Sequence, residues 1–352
     1  MSGPDWRELY ASNRAAIARA AIAPPEAMSL PHLAGAPNGI PAPAPALGGL
    51  SQFGRRGHRA LVHVPRGLDA ATPAPLVCML HGCTQDPATF AAATLMNDAA
   101  DRHGFVVVYP GQDRGDNPQG CWNWFLPEHQ RRDLGEPAAI AGLVRDLIES
   151  SSGCTIDPGR VFAAGLSSGG AMTAILAVCY PDLFAAVAVH SGLPYSSATS
   201  MAAAFEVMAS GAVGADASGR AARAAMGDHA RPVPSIVIHG KADRTVAPAN
   251  AINVLRQSMA ANHLAAPESC EHDVAHPTTS WRGVLDRGHP YTRSRWTDRS
   301  GALMHELLEV DGLGHAWSGG AAGGSHTDSR GPSATDAIWG FFALTSADRS
   351  RA

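Results

Sequence analysis

Residues 160–172 read RVFAAGLSSGGAM. A short apolar run, RVFAAG, leads without a linker into SGGAMTAILAVCY at 168–180, an apolar helical pattern. Between them lies Gly165-Leu166-Ser167-Ser168-Gly169, a Gly-x-Ser-x-Gly spacing. Strand, tight turn and helix in direct succession form the context in which that spacing carries chemistry. The turn lifts Ser167 above the sheet edge, and the strand and helix then approach so closely that the residues two before and two after must be small. Gly165 and Gly169 meet that demand. The helix N-terminus under the serine favours developing negative charge. The bland alternative is a glycine-rich helix start with Ser167 as its N-cap.

Outward from this turn the pattern repeats. RALVHVP at 59–65, PLVCMLHG at 75–82, FVVVYP at 105–110, FAAVAVHSG at 184–192, PSIVIHG at 234–240 and MHELLEVDG at 304–312 read as strands. Helical patterns span about 88–102, 137–150, 248–262 and 333–344. Apolar strands without alternation are buried on both faces. Spaced by helices, they predict an α/β fold with a mostly parallel central sheet and helices on both faces. Chemistry in such sheets lies beyond the carboxyl ends of the strands. Two stretches, 193–232 and 265–303, interrupt the alternation; each reads as a lid or substrate-binding insertion, or as surface decoration.

A serine hydroxyl needs a base, and the base an orienting carboxylate. In this architecture they follow the nucleophile in the order acid, then histidine. IVIHGKADRTV puts Asp243 in the loop after the 234–240 strand, and LLEVDGLGHAWSGG puts His315 in the loop after the last strand. Asp311 is the competing acid, expected to end its strand and face elsewhere. Of the 16 histidines, His81, His190 and His239 also close apolar strands. His81 and His239 are expected to hold loop backbone, and His190 comes too early in the chain to be the base. The loop LHGCTQ at 80–85 follows an early strand, so the backbone N–H groups of Cys83 and Ser168 are the expected oxyanion donors. Trp122 and Trp317, near Cys121 and His315, are candidate substrate-binding aromatics, with loop packing as the alternative; Trp124 and Phe125 read as packing.

The 352 residues carry a net charge of −4, 45% hydrophobic and 16% charged residues. That composition excludes global disorder, gives no basic face for nucleic acid, and contains no apolar run long enough for a membrane-spanning helix. The six cysteines show no CxxC pair, so no structural zinc site is expected; Cys78 and Cys179 read as buried hydrophobes. No metal or cofactor is implied. Residues 1–50, rich in Ala, Pro and Gly after a possible helix at 6–22, read as a poorly ordered arm ahead of one catalytic domain at 55–345. The N-terminus lacks a basic segment followed by an apolar stretch, so no ordinary export signal is expected.

Taken together, LHGCTQ, GCWNWF, GLSSGGAMTA, HSGLPY, HGKADRTV and GLGHAWSGG resemble the poly(3-hydroxybutyrate) depolymerase family of esterases, close to the feruloyl and acetylxylan esterases within the α/β-hydrolases. The resemblance covers about 55–345. It implies a Ser167–Asp243–His315 triad, oxyanion donors at Cys83 and Ser168, no cofactor, and hydrolysis of hydroxyalkanoate esters through an acyl-enzyme. It also implies that Cys83 and Cys121 lie close together, either as a disulfide clamping two loops or as two free thiols. Many relatives are exported, which implies an extracellular enzyme; the N-terminus supports the cytoplasmic alternative. Feruloyl or acetylxylan ester hydrolysis is the second enzymatic reading, and an inactive binding module on a hydrolase scaffold the non-enzymatic one.

Overall fold

The computed structural model describes residues 49–349, apart from 56–57, 70–71, 151–153, 213 and 271–272. The arm at 1–50, with its possible helix at 6–22, lies outside the described residues except for its last two positions. Those two begin strand β1.

Ten strands make one sheet: β1 (Gly49–Arg55), β2 (His58–Val64), β3 (Ala74–Leu80), β4 (Val106–Pro110), β5 (Ile156–Leu166), β6 (Ala186–His190), β7 (Ser235–Gly240), β8 (Thr279–Val284), β9 (Pro290–Thr297) and β10 (Leu303–Val310). Their order is β1-β2-β4-β3-β5-β6-β7-β10-β9-β8. From β4 to β10 every neighbouring pair is parallel, and the two strands at each edge run antiparallel. The helices are α1 (Pro87–Thr94), α2 (Met96–His103), α3 (Gly135–Glu149), α4 (Ser168–Cys179), α5 (Met201–Ser210), α6 (Ala215–Met226), α7 (Ala249–Ala265) and α8 (Ala334–Arg349). Two short strands, β11 (Trp317–Ser318) and β12 (Thr327–Asp328), pair with each other.

The period-two geometry of a strand divides the central side chains between two cores. On β3, Leu76, Cys78 and Leu80 face the core with Ile140, Val144 and Ile175, while Val77 and Met79 face the core with Phe90, Phe105, Ile338 and Phe342. Helices on both faces satisfy strands that have no polar side to offer water.

Four elements depart from the sequence pattern. The helix expected at 88–102 is two helices, because Leu95 adopts φ 58° and breaks the ladder between them. The sheet begins at Gly49 rather than after 55, since β1 forms a seven-residue antiparallel ladder with β2. The 265–303 stretch holds β8 and β9, which form a hairpin that continues the main sheet beyond β10. The 193–232 stretch supplies α5 and α6, whose Ala204, Ala222 and Met226 join the core.

His305, on β10, is buried between Ser235 Oγ (3.0 Å from Nδ1) and Asn262 Nδ2 (3.3 Å from Nε2). The amide nitrogen can only donate, so Nε2 is the acceptor and Nδ1 carries the proton. Burial pushes this imidazole down to about 3. In the unfolded chain it takes up a proton near pH 6.5, and in the folded one not until about pH 3. Unfolding therefore binds a proton across that window, and stability falls as pH drops through it. Tm measured from pH 7 to pH 4 is expected to fall, and to fall less steeply in His305→Gln; equal slopes in the two proteins would contradict this.

Candidate active site

Ser167 sits between the end of β5 and the start of α4 with φ 58° and ψ −118°, a conformation that non-glycine residues rarely adopt. Its N–H donates to His190 O (2.9 Å), and its carbonyl accepts the helical bond from Ala171 N (2.9 Å). Both flanking glycines are required sterically. A Cβ on Gly165 would run into the backbone of Gly169, and one on Gly169 into the carbonyls of Leu80 and His81. The close approach of strand, helix and the 81–85 loop thus follows from two missing methyl groups.

Asp243 and His315 leave the sheet two and three strands along from β5 and at the same end, because β5, β6, β7 and β10 are parallel. Lys241 N donates to Val310 O (2.9 Å) and Ala242 N to Leu313 O (3.0 Å), which zips the two loops together. Gly240 permits this contact, since a Cβ there would strike Leu313 O. The result is a 2.7 Å hydrogen bond between His315 Nδ1 and Asp243 Oδ2. An ionised carboxylate only accepts, so Nδ1 carries the proton and Nε2 is the free base.

Asp243 is buried and keeps its charge. Thr245 N and Val246 N each donate to its Oδ1 at 2.9 Å, and His239 Nε2 lies 3.4 Å from its Oδ2. Burial alone would raise its carboxyl, but the hydrogen bonds and charges of His239 and His315 outweigh it and hold the group well below the usual carboxylate range. Asp311 is placed differently. It pairs with Lys241 (3.1 Å) and Arg282 (2.5 Å) at the surface and makes no bond to His315.

The 82–85 turn leaves one donor over. Gly82 N donates to Gln85 Oε1 (2.9 Å), Thr84 N to Gln119 O (2.7 Å) and Gln85 N to Gly82 O (3.3 Å). Among the described residues, Cys83 N–H has no partner. Ser168 N–H, in the first turn of α4, is likewise one of the donors a helix leaves unpaired. A Cβ on Gly82 would stand 3.5 Å from Ser167 Cβ, so the turn lies directly against Ser167. Cys83 and Cys121 are joined by a disulfide, which ties this turn to the 117–124 loop. That loop is anchored by buried Glu136, which accepts from Gln112 Nε2 (2.6 Å), Asn123 Nδ2 (2.7 Å) and Asn123 N (2.8 Å).

The two candidate substrate-binding tryptophans are corrected. Trp122 is 3% exposed, and its indole N–H donates to His81 O (3.0 Å). Trp317 is 1% exposed, edge-on to Phe90, stacked on His190 and bonded to Thr335 Oγ1 (3.2 Å). Each ring is consumed by packing, with its one polar atom satisfied, so neither presents a face to a ligand. Trp124 and Phe125 are buried as packing residues.

His81 and His239 hold loop backbone, through Gly82 O and Gln112 N and through Val246 O respectively. His190 does more than its place in the chain suggests. Its carbonyl holds Ser167, its Nε2 accepts from Ser318 N (3.1 Å), and its Nδ1 meets Ser191 Oγ (3.1 Å). Burial, with the charges of His239 and His315 nearby, pushes it down to about 3, so it is a neutral brace between the Ser167 turn and the loop that follows His315. Gln85 and His326 also went unread in the sequence. His326 adopts φ 51°, and burial and the His315 charge lower its pKa. Among the described residues, no group of three or more His, Cys, Asp or Glu is arranged to hold a metal ion, and no helix is long and apolar enough to cross a membrane.

Residues 60–280 match the family model described as Esterase PHB depolymerase. That span includes Cys83, Ser167 and Asp243 but stops before His315, whose placement rests on its bond to Asp243. Poly(3-hydroxyalkanoate) depolymerase C of Paucimonas lemoignei is 43% identical over 197 residues, 55% of this chain and 46% of that one. Feruloyl esterase B of Thermothelomyces thermophilus is 36% identical over 138 residues, 39% of this chain and 45% of that one. The chain spans about half the length of these curated relatives. Among solved structures, an acetyl xylan esterase from Aspergillus awamori superposes with a TM-score of 0.64 at 21% identity, covering 84% of this chain and all of that one. This likeness identifies the fold as that of the α/β-hydrolases.

Proposed function

The chain belongs to the esterase PHB depolymerase family, and from that premise we propose that it is a serine esterase cleaving hydroxyalkanoate esters, as oligomers or polymer ends, through an acyl-enzyme. The 2.7 Å bond from His315 to buried, ionised Asp243, on loops beside the Ser167 turn, carries this reading.

His315 Nε2 takes the proton from Ser167 Oγ as that oxygen attacks the ester carbonyl. The C=O electron pair moves onto oxygen, and the N–H groups of Cys83 and Ser168 receive the oxyanion. Each such donor is typically worth about 3 kcal/mol in the transition state. Asp243 fixes the His315 tautomer and balances the imidazolium. The carbonyl re-forms as the C–O bond to the alcohol breaks, and His315 gives its proton to the departing alkoxide. A water then repeats the attack on the acyl-Ser167 carbonyl with His315 as base, releasing the acid and restoring Ser167. No cofactor takes part in this sequence.

A relative named for feruloyl ester cleavage and a fold neighbour named for acetyl xylan keep plant cell-wall esters as the second reading. The burial of Trp122 and Trp317 weighs against it, because it leaves neither ring a face with which to hold an aromatic acyl group. Initial rates on a 3-hydroxybutyrate trimer, methyl ferulate and p-nitrophenyl acetate decide the class. The trimer is expected to give the highest kcat/KM; a higher value on methyl ferulate would move the assignment to cell-wall esters. The intact Ser167, Asp243 and His315 argue against an inactive binding module.

The Cys83–Cys121 disulfide, closing a separation of 38 residues, suits an oxidising compartment and an extracellular site of action. Cys121→Ala is expected to lose about 2–4 kcal/mol of stability and to lower kcat more than it raises KM, because the freed turn carries the Cys83 donor. Unchanged kcat in the folded variant would show that the turn is held without the bridge.

A further inference from the structure

We propose that Gln85 is a positioning residue of the oxyanion hole: it pins the Gly82 end of the Cys83 turn and ties it to the segment that follows His315. The proposal rests on the serine-esterase reading and adds to it a residue through which the oxyanion donor is aimed.

The turn Gly82–Gln85 is closed by Gln85 N donating to Gly82 O (3.3 Å), with Thr84 at φ 66° in the position that a type II turn reserves for a residue with positive φ. Its middle is held twice, by Thr84 N to Gln119 O (2.7 Å) and by the Cys83–Cys121 bridge. Its entry is Gly82, which has the widest backbone freedom of any residue. Rotation at Gly82 would swing the following peptide, and with it Cys83 N–H. Two side chains oppose this: His81 Nδ1 donates to Gly82 O (2.9 Å), on the peptide that carries Cys83 N–H, and Gln85 fixes the other side of Gly82. Gln85 Oε1 accepts from Gly82 N at 2.9 Å and stands 3.2 Å from where a Cβ on Gly82 would be, closing both the bond and the space.

The other end of the same amide reaches Ser325, ten residues past His315. Gln85 Nε2 donates to Ser325 O (3.0 Å), with Ser325 Oγ at 3.4 Å, and Ser325 Oγ meets His326 Nδ1 (3.0 Å). Trp317 N in turn donates to His326 O (2.7 Å), two residues past His315. An N–H faces one end of the amide and a carbonyl the other, so only one orientation satisfies both. Gln85 is 3% exposed, and water does not substitute readily for either bond. The oxyanion turn and the base loop, separated by 240 residues of chain, are thus referenced to each other through one buried side chain.

Gln85→Met keeps the volume and removes both bonds; Gln85→Asn keeps the amide but is one methylene too short to span both partners. Each variant is measured on p-nitrophenyl butyrate beside wild type and Ser167→Ala. Inhibition is measured with a trifluoromethyl ketone, which adds to the serine as a tetrahedral oxyanion, and with butyrate, which does not. Thermal unfolding and a free-thiol count establish that a variant is folded with its bridge intact. The expected result is a roughly 10- to 100-fold loss of kcat in Gln85→Met with KM within about threefold, a matching loss of ketone affinity, and unchanged butyrate inhibition, with a smaller loss in Gln85→Asn. A merely structural role would move butyrate and KM with the rest, or move nothing. Wild-type kcat and ketone affinity in a folded variant overturn the proposal, as does failure of both variants to fold, which would make Gln85 a structural anchor only. If wild type itself hydrolyses no ester, the serine-esterase reading fails instead; if wild type is active, Ser167→Ala is not and the Gln85 variants match wild type, only the Gln85 proposal fails.

Discussion

Ser167→Ala is expected to lower kcat/KM on p-nitrophenyl butyrate by about 10⁴-fold or more while leaving Tm within about 2 °C. The loss is large because no other group in the site replaces the alkoxide. His315 is held as a base by Asp243, but with Ser167 gone it activates only a water that nothing positions, and the oxyanion donors alone give a small residual rate. The fold should not suffer. The Ser167 hydroxyl makes no bond that the turn needs; the turn is held by backbone, through Ser167 N to His190 O and Ala171 N to Ser167 O. Alanine also accepts the positive φ no worse than serine does. A residual rate within tenfold of wild type would mean that the nucleophile is another group.

Asp243→Asn is expected to cost about 10³- to 10⁴-fold in kcat, and Asp311→Asn less than about threefold. The asymmetry follows from burial and partners. Asp243 is enclosed, charged, and bonded to His315 Nδ1 at 2.7 Å. An asparagine there presents either a neutral carbonyl or an N–H. The first stabilises the imidazolium poorly, and the second forces His315 into the tautomer whose Nε2 carries the proton and cannot act as base. Asp311 shares a half-open surface with Lys241 and Arg282, where an ion pair contributes at most about 1 kcal/mol. Parallel kinetics on the two variants check the ranking, and the reverse order would place the acid on the wrong loop.

Much of this site is legible in the chain because its determinants are local. A strand, Gly165, Ser167, Gly169 and a helix follow one another within residues 156–179, and Asp243 and His315 each stand in the loop after a strand of the central sheet. The features that escape are those whose cause lies elsewhere in the sequence. On β9, Arg293 and Arg295 alternate with half-exposed residues and read as an insertion; they belong to the sheet because buried Glu306 on β10 pairs with both. Leu95 breaks a helix in the middle of a continuous helical pattern, and nothing in its neighbours announces a positive φ. Trp317 stands two residues from the base and looks like part of the binding surface, yet Thr335 and Phe90, remote in sequence, draw it inward. Gln85 lies inside a motif visible from the start, but its second partner, Ser325, is found only when the chain has folded.

The most direct test of the central claim is covalent. A fluorophosphonate ester reacts with a serine only when that serine is activated by a base and aimed at a tetrahedral oxyanion, so labelling followed by peptide mass analysis reads the whole constellation at once. The prediction is one adduct per chain, on Ser167, with hydrolysis lost in proportion to labelling, no adduct in Ser167→Ala and strongly slowed labelling in Asp243→Asn. An adduct on a different residue, or full hydrolysis by chains already labelled at Ser167, would contradict the claim that Ser167, Asp243 and His315 form the catalytic centre.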